Sequence, residues 1–107
     1  MTLPLLEQRC VHAHGDALTP AECAPLLAQL KAWQLYEGVL HKSFRFADFH
    51  HTMAFVNAVA AIAHAQDHHP DMAVSYDHCL LRWSTHSVGG LSLNDFICAA
   101  RVDALPL

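Results

Sequence analysis

The stretch "FHHTMAFVNAVAAIAHAQDHHPDMAVSYDHCLLRW", residues 49–83, carries both of the periods from which this fold can be read. Its first half is apolar at helical spacing. Phe49, Met53, Val56, Ala60 and Ala63 form one stripe, and Phe55, Val59 and Ile62 form a second. Only a narrow polar strip through His50, Asn57 and His64 remains. A helix apolar over so much of its circumference is buried on more than one side, and in so small a domain the second side is expected to meet another subunit. Asp48 is a natural N-cap. Pro70 disfavours helical geometry at His69, so the helix should end near His68. The second half changes period. Cys79, Leu81 and Trp83 alternate with His78, Leu80 and Arg82, which predicts a strand, and "MAVSY" before it is a weaker strand signal.

Moving outward, "WQLYEGVLHKSFRF" (33–46) again alternates, with Leu40, Phe44 and Phe46 set against His41, Ser43 and Arg45. Glu37-Gly38 is a plausible hairpin turn between two strands. Upstream, Thr19-Pro20 with Glu22 makes a capping box with proline at the first helical position, predicting a helix over 20–32. Pro25 is tolerated there only near the first turn. Downstream, Val88-Gly89-Gly90 breaks the pattern, Ser92 and Asp95 resemble a second capping box, and Leu93, Phe96, Ile97 and Ala100 supply a final helical stripe. The order helix–strand–strand–helix–strand–strand–helix implies an α+β domain: a four-stranded antiparallel sheet with three helices packed on one face. Residues 18–107 are expected to form that single domain. Residues 1–17 show no period and read as an N-terminal arm or loosely attached extension, whose His12 and His14 are expected to be inert.

The chain has 107 residues, 53% of them hydrophobic and 15% charged. That apolar content suggests surface covered by other subunits. A formal charge of −4 offers no basic face for direct nucleic-acid binding. No run reaches the roughly 20 apolar residues of a membrane span. Cys10, Cys23, Cys79 and Cys98 lack framework spacing and no signal peptide precedes them, so they read as reduced thiols of a cytoplasmic protein.

Residues 64–86 concentrate imidazoles: His64, His68, His69, His78 and His86. His64 and His68 share a helical face and could chelate zinc with His69 or His86. No glutamate accompanies them as in H-E-x-x-H, and no metal is expected. Nucleophilic catalysis fares worse, because consecutive Ser84, Thr85 and His86 project to opposite faces of a strand and no G-x-S-x-G elbow is present. General acid–base chemistry fits better, since imidazoles titrate near neutrality and one can donate a proton while another accepts. Exposed histidines with no chemical role are the rival reading.

The pattern His64-x3-His68-His69-Pro70, then Tyr76, then Ser84-Thr85-His86, then Asp95, resembles the signature of the pterin-4a-carbinolamine dehydratases. The flanks are similar as well: Leu18-Thr19, Trp33 with Glu37-Gly38, "FRFADF" (44–49) and Gly90-Leu91-Ser92. Similarity runs over residues 18–103. Two positions depart: His64 stands where the family often has glutamate, and Met72 where it often has an aromatic. The resemblance implies a lyase that removes water from 4a-hydroxytetrahydropterin to give quinonoid dihydropterin, the recycling step after an aromatic amino-acid hydroxylase, without metal or redox cofactor. It implies His68, His69, His86 and Asp95 as catalytic residues, with His68 and His86 moving protons. His69, Thr85 and His64 are implied as substrate contacts. Asp95 is expected either to orient an imidazole or simply to favour a helix N-terminus; Tyr76 is expected to be strand packing. The family also implies a homotetramer built as a dimer of dimers. The alternative role is that of a non-catalytic, coactivator-like binding module using the same helical surface.

Overall fold

A computed structural model describes residues 3–106. Its sheet is built from β1 (Gln34–Tyr36), β2 (Val39–Arg45), β3 (Asp71–Val74) and β4 (His78–Trp83), in the order β1-β2-β4-β3 with every neighbouring pair antiparallel. Three helices complete it: α1 (Pro20–Leu27), α2 (Phe49–Gln66) and α3 (Leu93–Asp103). The α+β class and the four-strand sheet are those predicted. Alternation decides which face of the sheet is dry. Leu40 and Phe44 on β2 meet Trp83 and Cys79 on β4 across the register, and all four are buried. Glu37 and Gly38 both have positive φ, 47° and 76°, as a two-residue hairpin twisting with its strands requires.

Both capping boxes form. Glu22 and Thr19 exchange bonds at the start of α1, and the Asp95 carboxylate accepts from the Ser92 amide at the start of α3. Yet α1 ends at Leu27 rather than 32, and Pro25 lies well inside it. The chain instead turns through Ala32 at φ 61°, which delivers Trp33 to the core and the Lys31 amide to Asp103. α2 is capped by Asp48, which accepts from the His51 amide, and it stops at Gln66 with Asp67 left-handed at φ 49°.

Three expectations need correction. The buried face of α2 is one band, Thr52, Phe55, Val59 and Ala63, drawn from both expected stripes plus a threonine. Thr52 belongs there because its hydroxyl lies 2.9 Å from the Tyr76 carbonyl and 3.0 Å from the Asp48 carbonyl. Phe55 therefore packs in the core, tilted against Phe44 and Phe46, and is no subunit contact. Tyr76 is not strand packing. It lies in the β3–β4 turn, 64% exposed.

The third concerns the arm, which is seated rather than loose. Leu5 is 1% exposed, and burying one leucine contributes about 1.5–3 kcal/mol. Its amide donates to Gln29 Oε1, the Cys10 amide donates to Gln66 Oε1, and Arg101 donates to the Gln8 carbonyl. Asn94 clasps the Val11 backbone from both sides, accepting its N–H and donating to its carbonyl. Further on, the arm passes so close to Gly90 that a Cβ there would stand 2.9 Å from that of Ala17. No helix among the described residues is long and apolar enough to cross a membrane.

Candidate functional site

Three elements converge where α2 ends. The left-handed Asp67 turns the chain so that the His68 amide still reaches the Ala63 carbonyl while its ring swings toward α3. There His68 Nε2 lies 2.6 Å from Asp95 Oδ1. Asp95 is wholly buried in the first turn of α3, where the helix dipole favours its charge. Its other oxygen accepts from Thr85 Oγ1 at 2.8 Å and from the Ser92 amide at 2.9 Å. Thr85 Oγ1 and Ser92 Oγ lie 2.7 Å apart, and Ser92 Oγ in turn accepts from the Asn94 amide. The carboxylate is thus fully satisfied, and one of its donors is an imidazole.

The His68 ring also stacks on Trp83, with centroids 5.7 Å apart and planes 12° from parallel. An indole face at that distance attracts a cation. Burial, the largest single influence, favours the neutral ring, but the Asp95 hydrogen bond and the charges of Asp95, Cys10 and Asp67 outweigh it. The His68 pKa is therefore raised above its ordinary value. With Nε2 held by Asp95, Nδ1 is the ring nitrogen left to exchange a proton.

Of the residues singled out by sequence, His68, Thr85 and Asp95 are brought into direct contact. Both readings of Asp95 hold together: it closes the capping box and it orients an imidazole. Thr85 is 6% exposed and gives its hydroxyl to Asp95. His69 is exposed immediately before Pro70. His86 is exposed at the start of a single 3-10 turn, one residue beyond Thr85, whose backbone is locked by a two-way bridge to Gly90. His64 is exposed one turn before His68. Among the described residues no three histidines, cysteines or acidic side chains stand close enough to share a metal ion.

Sequence reasoning missed the arm's place in this site. A cavity of about 210 Å³ beside His68 is lined by Thr85, Gln66 and Asn94 from the domain and by Cys10, Val11 and His12 from the arm. Ser87 fixes that wall by donating to the Ala13 carbonyl at 2.6 Å. His12, expected to be inert, therefore lies on the wall of this cavity. The only advance signal was its position within "CVHAH", in a segment without period.

Comparison with known proteins gives this geometry a family. The family model described as pterin 4 alpha carbinolamine dehydratase matches residues 16–105. A Stenotrophomonas maltophilia (strain K279a) protein named "Putative pterin-4-alpha-carbinolamine dehydratase" is 54% identical over 107 residues, covering 96% of this chain and 92% of that protein. Among solved structures, a transcriptional coactivator/pterin dehydratase from Brucella melitensis superposes with a TM-score of 0.79 at 30% identity, covering 83% of this chain and 97% of that one. A pterin dehydratase-like RuBisCO assembly factor of the alpha-carboxysome superposes at 0.57 with 25% identity, covering 70% of this chain and 87% of its own. The match spans all three helices, all four strands and the His68–Asp95 pair: this chain belongs to the pterin 4 alpha carbinolamine dehydratase family.

Proposed function

We propose that the chain dehydrates 4a-hydroxytetrahydropterin to quinonoid dihydropterin by histidine acid–base catalysis, in the cytoplasm, recycling the pterin left by an aromatic amino-acid hydroxylase. The observation that carries this reading is the buried Asp95 bound to His68. The carboxylate and the Trp83 face favour the imidazolium, so His68 suits the acid that protonates the departing 4a-hydroxyl through Nδ1. His86 then takes the proton from the pterin ring nitrogen, and the hydroxyl leaves as water. His69 and His64 contact substrate from the exposed rim. Neither proton transfer needs a metal or a redox cofactor. A direct dehydratase assay tests the reading: His68→Ala with His86→Ala in one chain should abolish turnover above background, and an unchanged rate would remove the assignment.

The chain is further proposed to assemble as a tetramer, a dimer of dimers, through the outer face of α2. Ala54, Ala58, Ala61 and Ala65 recur there at helical spacing, leaving room for a second backbone to approach. An apolar groove of about 480 Å³ along Ala58, Ala61, Ile62 and Leu105 continues that face. Light scattering should show smaller species for Ala61→Glu, and a stable monomer for the unmodified protein would overturn the assembly. The alternative, a coactivator-like binding module using the same face, draws on the name of the Brucella structure. It predicts partner binding that survives His68→Ala and no turnover.

A further inference from the structure

Cys10 and Cys98 are far apart in the chain and adjacent in space. Their sulfurs lie 3.6 Å apart. Cys98 is wholly buried on α3, close after Asp95 in sequence, whereas Cys10 is half-buried in the arm and lines the cavity beside His68. The arm is fixed at this point: the Cys10 amide is held by Gln66, and the next residue is clasped by Asn94. The two remaining cysteines, Cys23 and Cys79, sit in the hydrophobic core. One accessible thiol with a buried thiol held against it is the arrangement of a peroxide-sensing pair, in which one sulfur is oxidised and the other resolves it.

We propose that Cys10 and Cys98 are a reversible modification site: hydroperoxides oxidise Cys10, and Cys98 closes an intramolecular disulfide that ties the arm to α3.

The electrostatics suit this division of labour. A hydrogen bond from the Cys98 thiol, the largest influence, holds the Cys10 pKa below its ordinary value against the opposing effects of burial and the Asp95 charge, and the charges of His68 and Arg101 add to the lowering. The thiolate is the reactive form. Cys98 is pushed the other way, first by its bond to Cys10 and then by burial, so it stays a thiol until Cys10 has reacted.

In the first step the Cys10 thiolate attacks the distal oxygen of the hydroperoxide. An S–O bond forms, the O–O bond breaks, and the alkoxide leaves as an alcohol after taking a proton from solvent. Cys10 is then a sulfenic acid, and the bond that most strongly held the Cys98 proton is gone. Cys98 loses that proton and attacks the Cys10 sulfur. The S–S bond forms as the S–O bond breaks, and the departing hydroxide takes a proton to become water. Two thiols have supplied two electrons, and the peroxide has become alcohol and water.

The sulfur chemistry is independent of the proposed dehydration; only its effect on turnover, through the arm wall beside His68, rests on that reading. The test is therefore read by mass rather than by rate. The full chain, reduced and then exposed to cumene hydroperoxide, should lose two hydrogens per chain and yield a Cys10–Cys98 cross-linked peptide that dithiothreitol reverses. Cys10→Ser should abolish the cross-link. Cys98→Ala should leave a dimedone-reactive sulfenate at Cys10 that advances to sulfinate. Should that variant not fold, the peptide map of the unmodified protein decides alone. Cys10 sulfinate without a cross-link, Cys10 oxidising no faster than Cys23, or a bond to a second chain would each overturn the proposal. A protein inactive as a dehydratase that still forms the cross-link would sink the functional reading and leave this one standing.

Discussion

α3 carries two aspartates that each gather three donors, and only one of them belongs to the proposed reaction site. Asp103, at the C-terminal end, accepts from Trp33 Nε1 at 2.9 Å, from the Lys31 amide at 3.0 Å and from Lys42 Nζ at 3.0 Å. Asp95, at the N-terminal end, accepts from His68, Thr85 and the Ser92 amide at 2.6, 2.8 and 2.9 Å. The helix dipole disfavours Asp103 and favours Asp95, and the Lys42 ammonium offsets the first effect. The number of bonds does not separate them. The identity of one donor does. Asp103 is bound by an indole, a backbone amide and an ammonium, whereas Asp95 is bound by an imidazole, the side chain that ordinarily titrates near neutrality. A carboxylate with three donors is a clamp between elements, and it becomes part of a proton-transfer device when one donor titrates.

The contrast can be broken most forcefully by kinetics. His68→Ala should lower kcat by about 10²- to 10⁴-fold, the range usual for a general acid. Asp103→Ala should leave kcat near that of the unmodified protein. Equal losses in the two variants would erase the distinction.

Stability should run the other way. Asp103→Ala strands the Trp33 indole N–H and the Lys31 amide, so urea unfolding should show a loss of about 1–3 kcal/mol. Asp95→Asn should cost a similar amount, because the amide replaces an acceptor oxygen with a donor facing other donors. Asp95 acts through His68, so this variant should also move the His68 limb of the kcat/KM profile to lower pH. A profile that keeps its position would reduce Asp95 to a helix cap.

The smallest expected effect is on stability against pH. The folded-state pKa of His68 is raised above its value in the unfolded chain, so folding favours the protonated ring. That contribution is complete below about pH 6.5, the ordinary histidine value, and is lost as pH rises through the folded value. The stability advantage of the unmodified protein over His68→Gln should therefore shrink toward alkaline pH. The advantage over Asp103→Ala, which keeps His68, should show no such slope between pH 6 and 8, about the range in which histidine titrates.

What the sequence revealed was local. Thr19 with Glu22, Ser92 with Asp95, the Asp48 cap, the Glu37-Gly38 turn and the alternation of Cys79, Leu81 and Trp83 each depend on neighbours a few residues away, and each formed as read. What it hid depends on distant partners. Thr52 joins the buried face of α2 because the Tyr76 carbonyl waits for its hydroxyl, and no helical period announces that. The arm is seated by Gln29, Gln66, Asn94 and Arg101, none of which its own sequence mentions. Within the site, the histidine spacing and its family resemblance pointed to His68 and Asp95, while the Cys10–His12 wall offered only the "CVHAH" run in a segment without period.

The stack of His68 on Trp83 has an optical consequence. The chain contains two tryptophans, and each stands beside one of the two α3 aspartates: Trp83 through its stacked imidazole, Trp33 through its own N–H. An imidazolium stacked on an indole quenches its fluorescence, whereas the side chain over the Trp33 ring is the Lys42 amine and not an imidazole. The emission of Trp83 should therefore brighten as His68 loses its proton, against a steady Trp33 background. The protein carries its own gauge of the proton on His68, readable without substrate or label.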